Sequence, residues 1–222
     1  LGLSQSAVSR QVGALEQAFA AEVAKKRIPG AVMLVSRDGK VAYEKALGVQ
    51  DPVTGAPMRM DSIFRIYSMT KPIVSVLAMM LIEEGKLGLH EQVSKYIPEF
   101  KEMKVVVETF DAKTGAATVA LVPAKRQITV QDLLRHTSGM TYGVIGDKAA
   151  VKDYYKQAGM GSLEAFQKAG TSWTNESFAQ LMAKLPLRYE PGSTWEYGHS
   201  TDVLGRVIEI AAKRPLDQLL AE

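Results

Sequence analysis

The stretch Asp61–Leu87, DSIFRIYSMTKPIVSVLAMMLIEEGKL, decides how this sequence is read. From Pro72 to Ile82 only Ser75 is polar, so no solvent face can be drawn and the segment predicts a buried central helix. Pro72 has no N–H to donate and is tolerated only near a first turn, which sets the helix start close to Ser68. Ser68 then sits at or beside the N-cap, and Lys71, three residues on, shares its face. The head of a buried helix is itself buried or opens into a cleft, so hydroxyl and amine are expected together there.

Taken alone, Ser-x-x-Lys is compatible with a cap and a lysine that reaches solvent. Here the lysine opens an apolar helix where the macrodipole is positive, and desolvation also acts against its charge. Both effects lower its pKa. A neutral amine within reach of a hydroxyl is a general base beside a nucleophile, and base catalysis of this kind contributes roughly 10²- to 10⁴-fold in rate.

On the N-terminal side, Val8, Val12, Leu15, Phe19 and Val23 recur at helical spacing and predict a helix from about Gln5 to Lys26, stopped by Pro29 and Gly30. The runs Ala31–Ser36 and Val41–Val49 then read as a hairpin turning at Asp38-Gly39. The first run is apolar on both faces, which predicts a sheet covered on both sides.

On the C-terminal side, LGLHEQVSKYIPEF reads as a loop and a short helix closed by Pro98, and KVVVETF and ATVALVP as a second hairpin around DAKTGA. Thr129 caps a short helix with Asp132 in the capping-box position, and HTSGM ends it. Residues 147–185 look helical, with breaks at Gly159, Gly161 and Gly170. YEPGSTWEYGHS is a loop, and TDVLGRVIEIAAK is again a helix.

Composition narrows the classes. The chain has 222 residues, 46% hydrophobic and 23% charged, which suits a globular protein of one or two domains. Its longest apolar run is too short to cross a bilayer. The net charge of +3 is spread along the chain without a basic tract, so neither a membrane nor a nucleic acid is an expected partner. The absence of cysteine removes disulfides, thiol nucleophiles and thiolate metal sites. Leu1–Ala20 lacks the pattern of a signal peptide, so the expected location is the cytoplasm, or the periplasm or exterior if a leader was removed. His90, His136 and His199 fall in separate segments without ligand spacing, so no metal site is expected.

Tyr197, in WEYGHSTDVLGRVIE, is a second candidate: a loop phenol just before a helix, able to share proton traffic with a serine and a lysine. Its other reading is packing between Trp195 and His199.

In that order, SMTK, LLRHTSGM and PGSTWEYGHSTDVLGRVIE resemble the serine hydrolases that include class C β-lactamases, penicillin-binding DD-peptidases and family VIII carboxylesterases. The resemblance runs from about residue 12 to the end. It implies an α/β, β-lactamase/transpeptidase-like fold: an antiparallel sheet flanked by helices, plus a mainly helical subdomain. Residues 1–60 would hold the first helix and two strands, and residues 61–222 the helical part with the catalytic helix and the Tyr loop. Ser68 resembles the nucleophile, Lys71 its activating base and Tyr197 a proton relay, with the Ser68 backbone N–H as one oxyanion donor. His199 stands where penicillin-recognising members usually have the substrate-contacting Asn of Tyr-x-Asn, which tilts the reading towards the esterases.

The family's third motif, Lys-Thr-Gly or a variant, follows the Tyr motif. The KTG of this chain, Lys113–Gly115, precedes it and occupies a turn, where these residues are expected for turn reasons alone. The true third motif, with the second oxyanion donor and the last strands, is expected beyond Glu222.

A reading from another class starts at LGLSQSAVSRQVGALEQ, which looks like the recognition helix of LysR-type regulators and would turn Ser4, Gln5, Ser6 and Arg10 towards DNA. A helix-turn-helix needs preceding helices that the sequence does not contain. A catalytically silent binding module is the third possibility. The resulting expectation is two-step acyl transfer, in which Lys71 assisted by Tyr197 deprotonates Ser68. Substrates would be short-chain esters first and β-lactams second, with no cofactor and the oligomeric state open.

Overall fold

The computed structural model describes residues 5–143, 149–162, 164, 165, 168 and 172–222. They divide into two compact units between Ile66 and Tyr67.

The first unit holds helix α1 (Gln5–Ala24) and an antiparallel sheet in the order β1 (Gly30–Arg37), β2 (Lys40–Asp51), β3 (Ala56–Pro57). The β1–β2 turn has positive φ at both central residues, +50° at Asp38 and +74° at Gly39, the twist that suits a two-residue hairpin. Register places Met33 opposite Lys45 and Val35 opposite Tyr43, so these four share a face. Helix α1 lies on that face: the Tyr43 hydroxyl donates to Glu16 at 2.8 Å and Lys45 Nζ is 3.5 Å from the same carboxylate. Met33 is buried there, but Leu34 on the opposite face is 57% exposed. Among the described residues of this unit the expected cover on both sides is therefore found on one, because α1 spans a single face of the hairpin.

In the second unit, a 3₁₀ turn (Tyr67–Met69) leads into α2 (Thr70–Glu83). Further 3₁₀ turns at Val93–Lys95 and Pro98–Glu102 precede the hairpin β4 (Lys104–Phe110) and β5 (Ala117–Pro123). Pro98 thus opens a turn and does not close a helix, since its fixed φ and missing N–H suit a first position. Then come α3 (Val130–Arg135), α4 (Ala149–Tyr155) running into a π turn (Lys156–Met160), α5 (Asn175–Ala183), α6 (Ser200–Ala212) and α7 (Leu216–Leu220). The expected break at Gly159 is present, with φ of +81°. Gly170 and Asp147 lie outside the described residues.

Helix α6 is the spine of this unit. Val203, Leu204, Val207 and Ile208 are fully buried, and α2, α3 and α5 pack around them. Helix α2 buries Val74, Ala78 and Leu81, spaced to form one stripe. Its remaining apolar residues were expected to be buried too, yet Val76 is 60% and Met80 50% exposed. Within this unit α2 has neighbours on one side only, and an all-apolar sequence records what a helix could bury without naming the neighbours.

Two local predictions rest on side-chain chemistry. Asp111 Oδ1 accepts from the Lys113 N–H at 2.9 Å, the Thr114 N–H at 2.7 Å and the Thr114 hydroxyl at 2.9 Å, so KTG is spent on the β4–β5 turn. At α3, the Thr129 side chain and Asp132 form a reciprocal capping box. The Asp132 carboxylate also accepts both Arg126 terminal nitrogens, at 2.7 and 2.9 Å. No helix among the described residues is long and apolar enough to cross a membrane.

Candidate active site

Ser68 sits in the 3₁₀ turn at the mouth of α2, one residue before the N-cap Met69, and Lys71 is the second residue of the helix. Tyr67, just before the serine, has φ of +46°, a left-handed conformation uncommon for a bulky residue and of the kind that gathers at functional sites. Lys71 Nζ donates to Ser68 Oγ at 3.4 Å, so the three-residue spacing does bring the two together.

Tyr197 arrives from far along the chain. Its hydroxyl donates to Ser68 Oγ at 2.6 Å, and its ring lies 4.9 Å from Lys71 Nζ. The loop that carries it is held to the HTSGM segment by backbone bonds: Gly192 N–H to Thr137 O at 2.7 Å, Arg188 N–H to Gly139 O at 2.8 Å and Glu196 N–H to His136 O at 2.8 Å. Arg188 and Glu196 close the loop with a 2.6 Å ion pair whose side chains are 12% and 17% exposed. A Cβ on Gly198 would come within 2.6 Å of Met140 O, so backbone packs directly on backbone behind Tyr197.

A second phenol completes the group. Lys71 Nζ donates to Tyr142 Oη at 3.1 Å, closer than it stands to Ser68. Sequence reasoning missed Tyr142. The available signal was slight: an aromatic between Gly139 and Gly143, both of positive φ, in the HTSGMTYG segment.

The electrostatics reverse one expectation. Burial pushes the Lys71 pKa down, as anticipated, but the hydrogen bonds and partial charges of Tyr142 and Tyr197 outweigh it and leave the lysine above its ordinary value of 10.5. That direction favours the ammonium form of Lys71. Tyr197 is shifted below its ordinary 10.0, first by the Ser68 hydroxyl and then, against burial, by Lys71 and Tyr142. Burial raises Tyr142, which keeps its proton, and lowers His136, whose ring lies 5.0 Å from that of Tyr197.

His199, expected to meet substrate, is fully buried. Its ring supports Tyr142 edge-on at 4.5 Å, rests on Phe178 at 5.1 Å, and its Nδ1 lies 3.2 Å from Asp202. A residue at that depth acts through its neighbours. Among the described residues no group of three or more His, Asp or Glu is placed to hold a metal ion.

The Beta-lactamase family pattern matches residues 15–222. The chain belongs to the beta-lactamase family. Esterase EstB of Burkholderia gladioli is 33% identical over 212 residues, covering 94% of this chain and 48% of that protein. Acyltransferase mokF of Monascus pilosus is 31% identical over 220 residues, 96% of this chain and 49% of the fungal one. Among solved structures, EstCE1, a hydrolase with promiscuous acyltransferase activity, superposes with a TM-score of 0.69 at 30% identity, over 92% of this chain and 48% of its own. The chain spans about half the length of the curated relatives it matches. This beta-lactamase-family chain thus has the β-lactamase/transpeptidase-like fold and relatives named as both esterases and acyltransferases.

Proposed function

We propose that this protein is a serine hydrolase working through an acyl-enzyme on short-chain carboxylic esters, with Ser68 as nucleophile. The observation that carries the reading is the 2.6 Å contact between the Tyr197 and Ser68 hydroxyls, with the Lys71 ammonium donating to the serine at 3.4 Å. The charges favour Tyr197 as the base, with Lys71 as the cation that stabilises its phenolate.

In the first half-reaction Ser68 Oγ attacks the ester carbonyl carbon as its proton passes to Tyr197, and the Ser68 backbone N–H donates to the developing oxyanion. Collapse of the tetrahedral species expels the alkoxide, which takes the proton from Tyr197. A water then repeats the sequence on the acyl-enzyme: its proton goes to Tyr197, its oxygen to the carbonyl, and Ser68 is released reprotonated. Lys71 stays charged throughout.

Replacing the water by an alcohol gives acyl transfer, and the acyltransferases among the relatives support this second reading. β-Lactams rank below esters, since His199 replaces the Asn that contacts the acyl-amide of penicillins and is itself buried. The test is intact mass after a fluorophosphonate, followed by rates on nitrophenyl butyrate and a chromogenic cephalosporin, with and without a small alcohol. One adduct on Ser68, absent in Ser68→Ala, and faster ester turnover are expected. A much faster cephalosporin would reverse the substrate order, and an adduct elsewhere would remove Ser68 from its role.

A further inference from the structure

Tyr142 stands outside the serine, lysine and phenol named above, yet it makes a closer contact with the lysine than the serine does. We propose that Tyr142 is a positioning residue for Lys71: its hydroxyl receives the lysine head and holds it where it reaches Ser68 and Tyr197 together. The inference rests on the acyl-enzyme reading of Ser68, Lys71 and Tyr197.

Three observations converge. Lys71 Nζ meets the Tyr142 hydroxyl at 3.1 Å, whereas it stands 5.8 Å from the centroid of that ring, so the contact is a directed bond to oxygen and not a rest on the ring face. The Tyr142 ring has little freedom: it meets Tyr197 edge-on at 5.5 Å and His199 at 4.5 Å, and His199 is propped by Phe178 of α5. Phe178, His199 and Tyr142 form a column of rings from the core to the lysine head. Finally, Gly143 turns the chain immediately after Tyr142 at φ of +72°, where a Cβ would fall 2.4 Å from Tyr155 Cβ. The column and the turn fix the hydroxyl before any substrate arrives.

A lysine has four rotatable side-chain bonds and keeps considerable freedom unless something takes its head. Ser68 cannot do so alone, because its oxygen becomes the ester oxygen of the acyl-enzyme and leaves the partnership during each cycle. Tyr142 bonds to nothing in the proposed chemistry and remains a constant acceptor. It therefore keeps the ammonium in place while Ser68 is acylated and Tyr197 gains and loses its proton.

The groups facing Lys71 are Ser68 from its own turn, Tyr142 and His136 from the HTSGM segment and its continuation, and Tyr197 from the loop before α6. Asp202 on α6 acts at longer range on Tyr142 and His136. Of these, Tyr142 is the strongest influence raising the lysine pKa, and it also helps lower that of Tyr197. Loss of its hydroxyl should pull the two titrations together.

The experiment compares Tyr142→Phe with the unmodified protein, the variant keeping the ring column and losing only the oxygen. The Lys71 titration is followed by NMR on protein carrying ¹³C at lysine Cε, with Lys71→Met for assignment, and kcat and KM for nitrophenyl butyrate are measured across pH. We expect the Lys71 midpoint to fall, kcat to drop roughly 10- to 100-fold, the effect of losing a hydrogen bond to a charged group, and KM to change less than about twofold. An unchanged Lys71 midpoint overturns the proposal whatever the activity does. A lowered midpoint with unchanged kcat overturns the positioning role. Failure of the underlying reading shows separately, as activity that survives in Ser68→Ala.

Discussion

The hydroxyls of Tyr197 and Ser68 stand 2.6 Å apart although 129 residues separate them along the chain. Neither residue is fully buried, and the Tyr197 side of the pair is held by the backbone lattice between its loop and the HTSGM segment behind it. If Tyr197 carries the proton, Tyr197→Phe should cut kcat by roughly 10²- to 10⁴-fold with a small change in KM, as for other general bases. Steady-state kinetics on nitrophenyl butyrate measure this, and a loss confined to KM would assign Tyr197 to binding.

The two shifted pKa values fix the direction of the pH profile. In the proposed mechanism the reactive form has Tyr197 ionised and Lys71 protonated, so kcat/KM should rise along a limb below 10.0 and fall along one above 10.5, the apparent values belonging to the coupled pair. Lys71→Met removes a cation that lowers the Tyr197 pKa, and its rising limb should move to higher pH. A profile in which Lys71 must lose its proton before activity appears would restore the lysine as the base.

Gly198 offers a test of the lattice. A methyl group there would sit 2.6 Å from Met140 O, so Gly198→Ala must push the Tyr197 loop away from its support. Overpacking of this kind costs about 1–3 kcal/mol, and the displaced phenol should lower kcat more than the equilibrium stability falls. Denaturant unfolding beside kinetics separates the two effects.

Asp132 should set part of the acid stability. Burial raises its pKa, but the Arg126 side chain, the Thr129 N–H and hydroxyl, and the Thr137 hydroxyl outweigh this and hold it below the usual carboxylate range. A folded-state pKa below the unfolded one gives stability that is present above the unfolded value of about 3.9 and is lost as pH falls through the folded value. Asp132→Ala removes the capping box and the charge-assisted bonds together and should cost about 2–4 kcal/mol at neutral pH, with a smaller difference from the unmodified protein in acid. Urea unfolding at several pH values reads both.

The KTG turn supplies a negative control. Lys113 and Thr114 close the β4–β5 hairpin on Asp111, so Lys113→Ala should leave kcat/KM unchanged and stability within about 0.5 kcal/mol. A loss of turnover would return KTG to the catalytic machinery.

Much of this was legible in one dimension. The Thr129 and Asp132 capping box, the Asp38-Gly39 hairpin turn and the Asp111 turn all depend on atoms within a few residues of one another, where backbone sterics and side-chain chemistry leave few choices. The pairing of Ser68 with Lys71 is of the same kind, because a turn leading into a helix places residues three apart side by side. Tyr197 was legible as a loop phenol before a helix, but its partnership with Ser68 and Lys71 only through the order of three motifs.

The amino-acid sequence by itself determined the helix that presents Ser68 and Lys71, the turns and caps around it, and the family to which the chain belongs, since these follow from short-range periodicity and motif order. Tertiary structure alone decided that Tyr142, 71 residues from Lys71, takes the lysine head, that His199 lies buried beneath it, and that the lysine pKa is shifted up and not down. The physical reason is that a pKa is a sum over neighbours in space. Desolvation of Lys71 could be inferred from its apolar helix, but the two phenols that outweigh it are brought there by packing between distant segments.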